Sequence, residues 1–214
     1  MTCSQCQGIE DFFSQRQAER QLRRYRKHGP AKTTRLLLAA LEAEGVDGLT
    51  LLDIGGGIGA IPLALLRAGV TSATDVDAST GYLAVAKAEA ERDGLTERIA
   101  YRFGNFVDLA AEVPSAGVVT LDRVICCYHD PQRLVGLSSA KAARLYGVVY
   151  PRDAWWTRTL VWLPNLAMRL RRSPFRVFVH PSATVDALAR GSGLVPRFRR
   201  SAGFWQVVVY ARPT

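Results

Sequence analysis

The chain has 214 residues, 48% of them hydrophobic, and a formal net charge of +9. That length allows one domain with a sizeable core plus an appendage. The absence of any run of about 18 apolar residues argues against a membrane-spanning helix. The basic balance favours anionic partners (nucleic acid, anionic lipid or an acidic small molecule) and equally fits a solvated surface rich in arginine. The first residues, Met1-Thr-Cys-Ser-Gln-Cys6, lack the apolar core of a signal peptide, so a cytoplasmic location is expected. Cys3-x-x-Cys6 has metal-ligand spacing without a second pair, and the adjacent Cys126 and Cys127 are poorly placed to chelate together, so no metal site is expected.

Residues 9–28 carry Ile9, Phe12, Phe13, Leu22 and Tyr25 among many charges and read as one or two amphipathic helices. Residues 32–44 read as a further helix, opened after Pro30 and closed by Gly45 and Gly48. Residues 1–45 are therefore expected to be a helical appendage. It either packs plainly or closes as a lid over a ligand, with Tyr25 as its inward polar tip.

Residues 49–60, Leu49-Thr-Leu-Leu-Asp-Ile-Gly-Gly-Gly-Ile-Gly-Ala60, begin the second part, residues 46–214. A short apolar run reads as a buried strand, four glycines turn the chain, and residues 58–67 read as a helix with Pro62 in its first turn. Strand, glycine turn and helix open a nucleotide-binding βαβ unit. The pattern also fits the dinucleotide fingerprint, and a glycine turn with no ligand is the plainest alternative. Asp53, at the strand end, separates them. A carboxylate there repels a diphosphate and attracts the ammonium and sulfonium of S-adenosyl-L-methionine (SAM). Asp53, Gly55 and Gly57 are the candidate contacts to that ligand.

Residues 71–77 read as a second strand, ending in acids. Asp77 lies about twenty residues past the glycines, where a carboxylate chelates ribose hydroxyls. Asp75 points to the same side and is the competitor. A helix at 79–92 and a strand at 99–103 follow. Asn105 and Phe106 are candidates for the adenine amine and for an apolar wall. Residues 117–121 form a fourth strand, and Asp122, Cys126, Tyr128 and His129 are expected to rim the site beyond its carboxyl end. A helix capped by Asp130-Pro131 and a strand at 144–150 come next.

Residues 153–172 hold Trp155, Trp156 and Trp162 with several leucines and arginines, and Pro164 is expected to kink or divide them. Such a segment meets a planar substrate, a membrane interface or a dimer partner, or packs on the core. Residues 176–180 read as extended, 181–190 as a helix, and 194–201 with 204–212 as an antiparallel hairpin. The order αα-βαβαβαβαβ-α-α-ββ gives seven strands.

Leu52-Asp-Ile-Gly-Gly-Gly-Ile-Gly59, the acid Asp77, the Gly104-Asn105-Phe106 step and the closing hairpin together resemble a class I SAM-dependent methyltransferase. The resemblance implies an α/β fold, a seven-stranded Rossmann-like sheet with an antiparallel C-terminal hairpin. It implies Asp53, Gly55 and Gly57 on the methionine part, Asp77 on the ribose, and Asn105 with Phe106 on the adenine. Arg23-Arg24-Tyr25, Leu121-Asp122-Arg123-Val124-Ile125, the aromatic segment at about 151–180 and Phe175-Arg-Val-Phe-Val-His180 look like magnesium-protoporphyrin O-methyltransferases. That likeness implies Tyr25 and His180 as catalytic candidates. The sequence departs from it at Cys126, where the family carries a histidine.

The expected activity is methylation of oxygen on a small, planar or apolar acceptor that is anionic or phenolic. A carboxylate needs no base at pH 7, whereas a phenol would call on His180 or His129. Nucleic-acid methylation and SAM binding without turnover are the competing readings, and the former lacks any interleaved basic and aromatic signature.

Overall fold

The computed structural model describes residues 12–213. Helices α1 (Gln15–His28) and α2 (Lys32–Ala43) precede strand β1 (Thr50–Ile54). The chain then alternates through α3 (Ala60–Arg67), β2 (Ser72–Asp77), α4 (Thr80–Arg92), β3 (Ile99–Phe103), the short α5 (Phe106–Leu109), β4 (Ala116–Asp122), α6 (Pro131–Ala140) and β5 (Ala142–Pro151). It ends with α7 (Trp155–Leu170), α8 (Ser182–Gly191), β6 (Val195–Ala202) and β7 (Trp205–Ala211).

The seven strands form one sheet in the order β3-β2-β1-β4-β5-β7-β6. Strands β1 to β5 pair in parallel, and β7 inserts antiparallel between β5 and β6. This is the seven-stranded class I methyltransferase sheet, with the hairpin that the sequence predicts. The order reverses between β1 and β4, and open α/β sheets bind ligands beyond the carboxyl ends of their strands at that point.

Both faces of the sheet are covered at its centre, which explains why β4, β5 and β7 carry long apolar runs rather than a strict alternation. One face packs on α2, α3 and the end of α4 through Leu37, Leu41, Leu63, Leu65 and Ala90. The other packs on α5, α6 and α8 through Val107, Leu134, Val135 and Val185. Leu37 and Leu41 are fully buried, and each contributes roughly 1.5–3 kcal/mol on burial. A Cβ at Gly147 of β5 would lie 2.8 Å from Leu37 Cδ1, so α2 sits as close to the sheet as a glycine permits. α2 thus shares the core of the sheet.

One sequence expectation is narrowed by the structure. Pro164 does not divide its segment: α7 runs as one helix with the proline inside it. A proline interior to a helix costs about 3 kcal/mol in isolation, so packing at Thr157 and Val161 has to hold this one. Residues 176–180 join no sheet. Their extended backbone is pinned instead by side chain and loop, Asn165 pairing with Val177 through both amide groups and Phe178 N donating to the Cys126 carbonyl. Among the described residues no helix is long and apolar enough to cross a membrane.

Candidate active site

The carboxyl ends of β1, β2 and β4, roofed by α1 and α2 and walled by α7, enclose a cavity of about 1110 Å³. That is above the range of about 300–1,000 Å³ usual for one small-molecule site, so a second ligand has room.

The floor is acidic. Gly55 and Gly57 adopt left-handed backbone, with φ of 68° and 60°, which turns the loop tightly off β1. At Gly56 the requirement is space: a Cβ there would lie 2.3 Å from Oδ1 of Asp75, so the loop rests on that buried carboxyl. Asp77 is fixed by the same loop. Its Oδ2 accepts from Gly57 N at 3.0 Å and its Oδ1 from Ser79 N at 2.8 Å. Asp53 stands beside Asp75 in the strand register. Thr120 Oγ1 donates to one Asp53 oxygen at 2.6 Å. The other Asp53 oxygen and both of Asp75 have no hydrogen-bond partner among the described residues. Burial, before any other cause, pushes all three carboxyls up. For Asp77 the result is about 6, burial winning over the backbone amides that pull it down.

Asp122 ends β4 at the lip of this floor. It accepts from Thr34 Oγ1 of α2 and, at 3.0 Å, from Nε of Arg123. Asn105 caps α5, its Oδ1 accepting from Val107 N at 3.2 Å, while its amide donates to Asp108 at 3.0 Å and lies 3.4 Å from the Tyr128 hydroxyl. Phe106 is buried and also borders the cavity.

The roof is basic. Gln17, Arg20, Gln21, Arg24, Tyr25 and His28 recur at three- and four-residue spacing, so one face of α1 looks into the cavity. Its apolar side, Ala18 and Leu22, packs on Ile58, Tyr82 and Val85. Three links tie α1 and the residue Phe13 before it to α4 and its N-cap Ser79. Tyr82 Oη donates to Gln21 Oε1 at 3.0 Å, Ser79 Oγ donates to the Phe13 carbonyl at 2.7 Å, and Arg26 pairs with the buried Glu89. Lys32 and Arg35 of α2 extend the basic roof. Leu160, Val161 and Pro164 of α7, with Phe175 and Trp205, supply an apolar wall.

Of the residues singled out in the sequence, Tyr25, Asp53, Gly55, Gly57, Asp77, Asn105, Phe106 and Asp122 all border this one cavity, with Cys126 and Tyr128. Neither His129 nor His180 is in its lining. His129 is exposed and its ring tilts against Tyr128. His180 is buried, its Nε2 2.9 Å from the Tyr128 carbonyl and its ring stacked on Phe178. Burial lowers its pKa, and the backbone carbonyls only partly offset this. Cys3 and Cys6 lie outside the described residues. Among the described residues no cluster of three metal-ligating side chains occurs.

Sequence reading missed the basic roof, although the 17-20-21-24-25-28 spacing was there to be read as one helix face. It also missed Tyr82 and Thr34, which carry no local signal because they meet the site only through tertiary packing. The capping role of Asn105 was readable, since Asn105-Phe-Val-Asp108 has an N-cap residue and an acid three positions on.

Sheet order, glycine loop and strand-end acids define the class I, SAM-dependent methyltransferase fold. Residues 52–137 match the family model described as a methyltransferase domain. Over 131 residues the chain is 32% identical to the ribosomal protein L11 methyltransferase of Dechloromonas aromatica. The match takes in 59% of this chain and 44% of that protein, so the chain spans less than half the length of the curated relatives it resembles. Among solved structures, magnesium protoporphyrin IX methyltransferase from Synechocystis PCC 6803 with bound SAH superposes with a TM-score of 0.75. It shares 17% identity, with 98% of this chain and 100% of that one covered. An O-methyltransferase family protein from Burkholderia thailandensis superposes with a TM-score of 0.65 at 19% identity, covering 94% of this chain and 63% of that one. At such identities the structural likenesses establish the fold.

Proposed function

We propose that the protein is a SAM-dependent methyltransferase that methylates an oxygen, best a carboxylate, on a small, largely apolar acceptor. The observation that carries this reading is the polarity of the one cavity: buried acids below, arginines and a lysine above, an apolar wall between. An acidic floor suits a cationic donor and a basic roof an anionic acceptor. The residues fit SAM on their own terms. Gly55 and Gly57 present bare left-handed backbone to the cavity, and the spare Asp53 oxygen can accept from an ammonium.

When bound, SAM would supply an electrophilic methyl group for the acceptor oxygen. The chain's own residues do the rest. Asp77 and the Gly57 amide fix the ribose end, while Asn105 and Phe106 border the adenine. Arg20, Arg24, Lys32 and Arg35 orient the anion, and α1 serves as a lid that keeps water out. Tyr25 closes that lid from above. No strong base is needed. Two titratable groups of the lining are poor bases, because burial pushes Tyr82 up to about 12 and the neighbouring Cys127 thiol, with burial, pushes Cys126 up. A carboxylate, with an ordinary pKa near 4, arrives already ionised.

A second reading, methylation of a protein, draws on the match to ribosomal protein L11 methyltransferases. Incubating the protein with methyl-labelled SAM separates the two. One arm uses planar aromatic carboxylates, including porphyrin carboxylates, and the other uses ribosomal proteins. Label in a base-labile ester on the small acceptors supports the first reading, and label confined to polypeptide overturns it.

A further inference from the structure

α7 carries its apolar face outward. Thr157 and Val161 are its only buried residues, whereas Trp155 is 81% exposed, Trp162 60%, Leu163 58% and Leu170 79%. With Thr159 and Leu166, these positions follow i, i+4, i+7, i+8, i+11 and i+15 from Trp155, so they form one stripe along the helix. No described element covers it. Arg158 and Arg169 border the stripe, and Arg171 and Arg172 follow directly at the helix end, all four exposed. Beside it lies a second cleft of about 240 Å³, lined by Trp162, Leu166, Val177 and Phe178 with Arg169 and Arg176. Apolar walls and two guanidinium groups at one small opening match a headgroup phosphate joined to an acyl chain.

We infer that α7 is an interfacial helix that seats this protein on an anionic lipid bilayer. The helix is too short and too charged to span, yet it has the tryptophans, leucines and flanking arginines of one that lies in the headgroup plane. The net charge of +9 adds long-range attraction to such a surface. A second copy of the chain is a poorer occupant. An isologous contact through this stripe would bring the arginine borders of two copies together, and like charges there oppose association. The inner side of the same helix, through Leu160, Val161 and Pro164, walls the large cavity. A seated α7 would therefore hold the acceptor cavity beside the bilayer, within reach of lipid-dissolved acceptors. Only this last step rests on the function proposed above; the docking does not.

The test is co-sedimentation of the full chain with vesicles of phosphatidylcholine alone and of phosphatidylcholine with about 30% phosphatidylglycerol, at low and high salt. Binding to the anionic vesicles, weakened by salt and accompanied by a blue shift of tryptophan emission, is the expected result. The triple variant Trp155→Ser, Trp162→Ser, Leu170→Ser should lose at least about tenfold in vesicle affinity, since three interfacial apolar side chains are removed. Its S-adenosylhomocysteine binding by calorimetry and its thermal midpoint should be unchanged, because these side chains touch neither core nor cavity. No sedimentation with anionic vesicles at low salt would overturn the inference. So would equal binding by the triple variant, or a micromolar dimer that the variant dissolves, which would give the stripe to a second copy.

Discussion

The floor and the roof of the cavity are both charged, but they are charged by different means. The floor acids Asp53, Asp75 and Asp77 sit at strand ends, buried, and held by backbone and neighbouring strands. The roof cations Arg20, Arg24, Lys32 and Arg35 stand on helices with solvent at their tips. A buried acid is fixed in position but costly to ionise, whereas an exposed arginine is always ionised yet screened and mobile. On the function proposed above, rigid recognition of the donor would belong below and looser recognition of an acceptor above.

Lifting the floor should have the largest effect. Gly56→Ala puts a methyl group onto the Asp75 carboxyl, which is fully buried and has nowhere to swing. Overpacking of up to about 3 kcal/mol would weaken S-adenosylhomocysteine binding about 100-fold, which calorimetry alongside a thermal melt would read. An affinity within threefold of the parent would show that the loop does not rest there.

Next comes Asp77→Ala. It removes the acceptor for Gly57 N and Ser79 N as well as the proposed ribose partner. About 30-fold weaker binding is expected, as for the loss of a charge-assisted pair of hydrogen bonds. Unchanged affinity would take Asp77 out of that role, and a larger loss in Asp75→Asn would give the role to Asp75.

The floor should also titrate where the roof does not. The Asp77 carboxyl ionises near pH 6 in the empty site, above its ordinary value of 3.8. Ribose hydroxyls donate to the ionised form, so donor binding should strengthen by about tenfold between pH 5 and pH 7 and level off above. The sign is opposite for the stability of the empty protein. Between about pH 4 and pH 6 the folded state keeps a proton that the unfolded chain has released, so this group's contribution falls as pH rises through that window. Asp77→Asn should remove its share of both profiles and leave the part that Asp53 and Asp75, also pushed up by burial, contribute; a binding profile that stays flat in the parent would move the titrating group elsewhere.

The roof gives the smallest effect. Arg20→Ala with Arg24→Ala should raise KM for an anionic acceptor about fivefold, the scale of partly screened charges, and leave S-adenosylhomocysteine affinity unchanged. If donor affinity fell instead, floor and roof would share a ligand and the division between them would fail.

Much of the floor was legible in the chain. A buried apolar run, a glycine turn and an acid about twenty residues on are local features with a fixed geometry. Residues 52–77 therefore announced the strand, loop and acids of the floor, and Asp130-Pro131 and the expected Ala202-Gly203 turn placed their elements within a residue or two. His180 shows the limit. Its sequence neighbourhood pointed at the site, but the loop that carries it packs against the Tyr128 carbonyl and turns the ring away from the cavity lining.

The sequence by itself determined the alternation of strands and helices, the hairpin at the end and the acids of the floor, because periodicity and turn chemistry act over a few residues. Only tertiary structure decided which way the two amphipathic helices α1 and α7 face. α1 finds Ile58, Tyr82 and Val85 for its apolar side and turns its arginines over the cavity. α7 buries Thr157 and Val161, half-buries Trp156 against Phe204, and leaves Trp155 and Trp162 in solvent. An amphipathic pattern fixes which residues share a face; what that face meets depends on partners far away in the chain.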